Sequence, residues 1–324
     1  MFENWTKYDQ ETLSGLYRKM YQARLFEETL YFLFLEGKIP GSLHQSQGQE
    51  AVSVGVCSLL NKDDVVFSTH RPHSDYIAKG ADMTRLIAEI LGRRDGCCKG
   101  KGGSMHICDV SVGAMPANAI VGGNVPIAAG SALAFKLRGG RQVAVSFSGD
   151  GASNEGAWHE ALNLAALYDL PVLFVTINNQ WASSTAFKQS VRIECLSDRA
   201  ASYGMPGVTA DGMDVLAVRE ATGLALERAR NGKGPSLLEF MCYRFVGHSR
   251  SDPANYRSKE EVEAWKQRDP VALTRARLID SKLLNEMSAA GLESQVKAAI
   301  DAAVAEAERS SLPAPEECLE DVYA

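Results

Sequence analysis

The stretch SFSGDGASNEGAWHEALNLAALYDLPVLFVTINNQWASST, residues 146–185, carries the side chains best suited to chemistry. Asp150 stands between Gly149 and Gly151 directly after an apolar run, and Asn178 and Asn179 stand directly after the next one. A carboxylate and an amide oxygen are ligands that a small hard cation such as Mg²⁺ takes together with phosphate oxygens in an octahedron. The flanking glycines let backbone N–H groups come close to a phosphate. A dinucleotide fingerprint fits poorly: Asn154 holds the place of the third glycine of G-x-G-x-x-G, and the Asp150 carboxylate would repel a bare pyrophosphate at a helix amino terminus. Taken singly, Asp150-Gly151 and Asn178-Asn179 are ordinary turn dipeptides. Taken together, G-D-G and N-N separated by residues 152–177 describe a place where a metal ion reconciles a carboxylate with a diphosphate.

The flanking elements must bring these groups together. Residues 141–148 and 171–177 are almost wholly apolar, as central parallel strands are when helices cover both faces. The spacing predicts a helix over 154–168 between them, in a right-handed crossover. In such sheets ligands bind beyond the carboxyl ends of the strands, where Asp150 and the Asn pair fall. Helical spacing also marks 10–36, stopped by Gly37 and Pro40, and 48–60, 84–92, 126–138 and 215–230. Strands are expected at 64–69 and 236–245. This alternation predicts an α/β fold, a doubly wound and mostly parallel sheet with helices on both faces. Helical extensions are expected at both ends, dividing the chain into 1–40, a ligand-binding α/β domain 41–257 and a helical tail 258–324. The glycine-rich segment 92–123 is too long for a plain connection and is read as functional or interfacial.

Bulk properties narrow the function classes. The 324 residues are 45% hydrophobic and 23% charged with a formal net charge of −6, and Arg93-Arg94 is among the few basic clusters, which argues against a nucleic-acid surface. No apolar run approaches the roughly 20 residues of a membrane span and no basic-then-apolar leader opens the chain, so a cytoplasmic location without membrane contact is expected. Seven cysteines, including the adjacent Cys97 and Cys98, lack the paired C-x-x-C spacing of a zinc site and are read as reduced thiols.

The G-D-G…N-N pattern resembles the thiamine diphosphate-binding motif. Together with IPGSLHQSQGQEAVSVG, STHRPHSDYIAKG, GCCKGKGGSMHICD, NAIVGGNVPIAAGSALA, ADGMDVLAVREAT and YRFVGHSRSDPANYRS, it makes nearly the whole chain similar to the alpha subunit of the decarboxylating component of 2-oxoacid and acetoin dehydrogenase complexes. The resemblance implies a thiamine diphosphate-binding fold with Mg²⁺ held by Asp150, the Asn179 side chain and the Trp181 carbonyl. It implies diphosphate contacts from the backbone of Gly151 and Ala152, from Arg71 and from His70, the last in place of another ring residue, and a place for Val121 near the aminopyrimidine. His248 would contact the diphosphate and act catalytically, handling a proton or orienting substrate; His44 and His73 are weaker candidates. The family's cofactor acts as an electron sink beside a carbonyl.

In this family the glutamate that activates the cofactor lies on a beta subunit, so the resemblance implies a shared site, an α2β2 assembly and transfer of the acyl product to a lipoyl-bearing acyltransferase. An acetoin-type dehydrogenase is favoured by THRPH and KGKGGSMHICDVSVG. A pyruvate or branched-chain 2-oxoacid dehydrogenase subunit is the alternative, and a non-catalytic scaffold for the beta chain is an alternative of another class. Ser42, Pro72, Ala119 and Ser183 depart from the family pattern; Ser183 stands where a bulky residue would prop the cofactor, which opens the question of a more polar substrate. Ser249 occupies the position phosphorylated in mitochondrial relatives.

Overall fold

The structure, a computed structural model, describes residues 5–321. Five strands form one wholly parallel sheet in the spatial order β1 (Val65–Phe67), β2 (Ala144–Gly149), β3 (Val172–Asn178), β7 (Ser236–Met241), β6 (Gly207–Asp211). A separate two-stranded hairpin, β4 (Trp181–Ala182) with β5 (Thr185–Ala186), follows β3 immediately.

Successive side chains of a strand point to opposite faces, and both faces here are buried. Val172 and Phe174 join a cluster with Val125, Ala128, Ala132, Trp158 and Leu162 from α5 (Asn124–Leu137) and α6 (Gly156–Leu167). Leu173, Val175 and Ile177 join the opposite cluster, which draws on α2 (Glu50–Cys57) and α8 (Val215–Arg230). That second cluster runs on through Leu13, Phe26 and Leu30 of α1 (Gln10–Leu35) to Val296, Ile300 and Ala303 of α11 (Glu286–Arg309). The terminal helices thus share the core that the sheet builds.

Polar caps set where the helices begin. The Asp9 carboxylate accepts the Thr12 N–H at 2.7 Å to start α1, Asp82 does the same for Arg85 at the head of α4 (Met83–Ile90), and Asp214 accepts from Leu216 and Ala217 to start α8. In the tail, Ser258, Asp269 with Pro270, and Asn285 cap α9 (Lys259–Lys266), α10 (Pro270–Asp280) and α11. The expected helix over 154–168 begins later, at Gly156, because Asp150–Asn154 winds as a 3₁₀ turn that carries the chain away from β2. Besides the two strands of the β4–β5 hairpin, one helix, one short helix and one strand had no sequence signal strong enough to place them. These are α3 (His73–Lys79), which Pro72 initiates at a φ of −87°, the four-residue α7 (Phe187–Ser190), and the exposed edge strand β6. Among the described residues no helix is long and apolar enough to cross a membrane, and all seven cysteines are free.

Candidate functional site

One cavity of about 440 Å³ opens at the carboxyl ends of β2 and β3. It is lined by His70, Arg71, Val121, Asp150, Gly151, Ala152, Asn179, Trp181 and His248, and of the two weaker candidates by His44 but not His73. β2 ends at Gly149 and delivers Asp150, 1% exposed, into this space. Burial pushes its carboxyl up to about 6, and Oδ2 has no hydrogen-bond partner among the described residues. An ionised oxygen so placed calls for a cation.

The Asn pair divides: of the two, only Asn179 lines the cavity. Asn178 is fully buried within the sheet edge: its Nδ2 donates to Glu239 Oε1 at 2.7 Å and its Oδ1 accepts from Gln180 N at 3.2 Å. Asn179 turns the other way, into the cavity, because consecutive residues at a strand end face opposite sides. Next, the β4–β5 hairpin folds back over the 3₁₀ turn. A Cβ on Gly151 would meet the Ala182 Cβ at 2.6 Å, so glycine is what allows this approach. At the hairpin tip Ser183 has a φ of +53°, a left-handed conformation that a β-branched residue adopts only under strain. Ser183 lines the cavity, as does Ala119; Ser42 is exposed and outside it.

The opposite wall is cationic and aromatic. Arg71 is buried, with Nη2 donating to the His248 carbonyl at 2.9 Å and Nη1 to the Gln45 carbonyl. Burial and the nearby Arg244 guanidinium lower its pKa to about 9. The His44, His70 and His248 rings lie with centroids 5.0, 5.0 and 5.3 Å apart. Burial, followed by Arg71, pushes their pKa values down to about 3, 2 and 4, so all three are neutral imidazoles. Nδ1 of His44 and of His248 lacks a protein partner among the described residues. The His248 backbone is fixed, its N–H donating to Asp252 Oδ2 at 2.6 Å. His73 lies apart, fully buried between Glu27 (3.1 Å) and Ser104 (3.1 Å), and is structural.

Four contributors escaped the sequence reading. Arg244, 1% exposed, ties the hairpin down through the carbonyls of Trp181 (3.4 Å) and Ser183 (3.2 Å). The carbonyl proposed as a metal ligand is therefore already held in place, with a second lone pair to offer. Gln49 and Asp75 line the inner wall. Glu89 of α4 is the hub of the glycine-rich segment, accepting backbone N–H groups from Cys98 (2.7 Å), Gly100 (2.9 Å), Gly102 (2.7 Å) and Gly103 (3.1 Å). Its oxygens lie near the thiols of Cys97 and Cys98, yet those four amides occupy them, which leaves little for a metal. Arg244, Gln49 and Asp75 carried a usable signal, as polar residues inside otherwise recognisable motifs; Glu89 carried none.

The donor set suits a polyanion with a hard cation. Guanidinium, imidazole and backbone N–H groups line the same cavity as the unpartnered Asp150 carboxylate and the Asn179 amide. Val121 and Ile120, 50% and 74% exposed, stand at the cavity mouth and leave it apolar.

Comparison with known proteins identifies the family. A family model described as dehydrogenase E1 component matches residues 18–316. The chain is 46% identical, over 97% of its length and 94% of the relative's, to the alpha subunit of acetoin:2,6-dichlorophenolindophenol oxidoreductase of Bacillus subtilis. It is 45% identical to the same subunit of Cupriavidus necator, over 97% of this chain and 95% of that one. Against the pyruvate dehydrogenase E1 component subunit alpha of Porphyra purpurea the identity is 39%, over 89% of this chain and 86% of the relative.

Proposed function

This chain belongs to the dehydrogenase E1 component family, and from that membership we propose that it is the alpha subunit of an acetoin-type dehydrogenase that binds thiamine diphosphate and Mg²⁺. The single observation that carries the reading is the buried, unpartnered Asp150 oxygen in the cavity that Asn179 and Arg71 also line. Asp150, Asn179 and the Trp181 carbonyl would hold the metal. Gly151 and Ala152, with Arg71, His70 and His248, would hold the diphosphate. When bound, thiamine diphosphate supplies an electron sink for cleavage of a carbon–carbon bond beside a carbonyl.

The chain's own residues do the rest. The neutral His248 imidazole can donate or accept a hydrogen bond at the cavity face without adding a charge there, and becomes a cation only while it holds a proton taken from substrate. Buried Arg71 orients the anion and holds the His248 carbonyl. Val121 and Ile120 at the mouth would be covered by a beta subunit, which would complete the site and exclude water. The acyl product would pass to a lipoyl-bearing acyltransferase. The acetoin assignment follows the relatives at 46% and 45% identity in preference to the pyruvate relative at 39%.

Two experiments test this. The chain, paired with its beta subunit, is titrated with thiamine diphosphate and Mg²⁺ in a calorimeter; binding that ignores magnesium sinks the proposal, and Asp150→Ala should abolish binding altogether. The pair is then assayed on acetoin, pyruvate and branched 2-oxoacids with an artificial electron acceptor. Turnover confined to 2-oxoacids would move the chain to the pyruvate or branched-chain type.

A further inference from the structure

We propose that Gln49 is a positioning residue for the metal ligand Asn179 and a further donor to the diphosphate, an assignment that rests on the functional reading above. Gln49 is 3% exposed and lines the cavity from the head of α2. Its Oε1 accepts the Asn179 Nδ2–H at 3.3 Å. A primary amide has one acceptor end and one donor end, so engaging Nδ2 points Oδ1 away from Gln49; Oδ1 accepts the Trp181 N–H at 3.3 Å and keeps a second lone pair for a cation. The reverse orientation of Asn179 would set its oxygen against the Gln49 oxygen, and turning Gln49 as well would present its Nε2 to that oxygen while leaving Asn179 Nδ2 toward the metal. The pairing observed is the one that serves a ligand role.

The other end of Gln49 is equally telling. Nε2 is buried and has no hydrogen-bond partner among the described residues. A buried N–H₂ group costs free energy until an acceptor meets it, and an anionic oxygen is a strong one. The backbone beneath is rigid. Gly48 sits at a φ of +95°, where a Cβ would meet the Tyr243 carbonyl oxygen at 2.2 Å, so no other residue brings the chain this close. The Gly48 N–H donates to Glu50 Oε2 at 3.0 Å, and Glu50 Oε1 is held by Arg24 Nε at 2.6 Å. Gln49 therefore reaches the site from a fixed platform, as outer residues that orient metal ligands do.

The two roles separate by substitution. Gln49→Glu keeps the acceptor for Asn179 and replaces the donor with a carboxyl; Gln49→Leu removes both. With the full chain and its beta subunit, thiamine diphosphate affinity is read by calorimetry, and metal affinity by the electron paramagnetic resonance of Mn²⁺ standing in for Mg²⁺. Circular dichroism confirms folding. Gln49→Leu should weaken metal binding about 10- to 100-fold, the usual effect of losing an orienting partner, and weaken the cofactor as well. Gln49→Glu should weaken the cofactor by about tenfold or more while binding Mn²⁺ no more weakly than the unaltered chain. A merely structural role would not produce that split.

Wild-type affinities in Gln49→Leu, with binding lost in Asp150→Ala, would overturn the Gln49 assignment and leave the site standing. Metal binding lost in Gln49→Glu as in Gln49→Leu would overturn the positioning role. Should Gln49→Leu fail to fold, the nearly isosteric Gln49→Glu alone decides by its metal and cofactor affinities. Unaltered binding in Asp150→Ala would overturn the site reading itself, and the Gln49 assignment with it.

Discussion

Asp75→Asn should make the cofactor-free chain more stable at neutral pH and should flatten its stability profile between pH 4 and 7. Asp75 lies in α3, 2% exposed, and its oxygens accept from Ser53 Oγ and Ser68 Oγ at 2.6 Å each. Burial outweighs these hydroxyls and pushes the carboxyl from 3.8 up to about 6. Holding such a group ionised at pH 7 costs about 3 kcal/mol. The sign follows from proton counting. Between about pH 4 and 6 the folded chain keeps a proton that the unfolded chain releases, so this contribution to stability is complete below about 4 and gone above about 6. Asparagine is neutral throughout, keeps a carbonyl for one serine and offers N–H to the other. Allowing about 1 kcal/mol for poorer hydrogen bonds, the variant should gain about 2 kcal/mol at pH 7. About 1 kcal/mol of that advantage should vanish by pH 5, and the remainder by pH 4. Urea unfolding of both proteins across this range measures it. A difference that stays constant with pH, or a less stable variant at pH 7, would refute the burial account of Asp75.

Other consequences can be read at separate positions. Asn179→Ala should weaken Mg²⁺ binding at least about tenfold with little loss of stability, whereas Asn178→Ala should cost about 2 kcal/mol of stability by stranding the buried Glu239; calorimetry and urea melts distinguish them, and the reverse pattern would contradict the division of the pair. Gly151→Ala forces the β4–β5 hairpin away from a contact that would close to 2.6 Å, so cofactor affinity should drop while stability falls by about 1–3 kcal/mol; unchanged affinity would show that the hairpin does not shape the site. Glu89→Ala leaves four backbone N–H groups without their acceptor, at about 1–3 kcal/mol for each that water does not reach; limited proteolysis should then cut within residues 96–106, and an intact loop would count against the hub.

How much of this was legible in the sequence depends on whether the causes were local. Apolar runs at 141–148 and 171–177 could only be buried strands, and a buried strand must end somewhere, so Asp150 and Asn179 were readable as neighbours. Spacing alone did not say which asparagine faces the cavity, and only the family resemblance singled out Asn179, because Glu239, the partner that captures Asn178, is brought alongside only when β7 pairs with β3. Gln49 and Asp75 stand inside recognisable motifs yet reach the cavity through tertiary packing, and a polar residue in or just before a short helix gives no sign of which wall it will line. Glu89 belongs to a helix with ordinary amphipathic spacing, and its role exists only once the glycine-rich segment wraps round it. β6 escaped because it is five residues long and exposed at the sheet edge, where no alternation is imposed.

The charge balance of the cavity explains why histidines stand where they do. Arg71 and Arg244 are both buried at its wall; burial and then Arg244 lower the pKa of Arg71, and burial and then Arg257 lower that of Arg244, so the site is crowded with like charge before any ligand enters. Asp150 offsets only part of this, since its own carboxyl is pushed up to about 6. Three further cations would make the empty cavity untenable, and three apolar rings would leave an arriving diphosphate without donors. Neutral imidazoles avoid both outcomes: each presents one N–H to an oxygen and adds no charge. His70, the ring residue that departs from the family, then contributes as a donor in its own right, and its replacement by Phe should cost cofactor affinity without the gain in stability that removing a buried cation would bring.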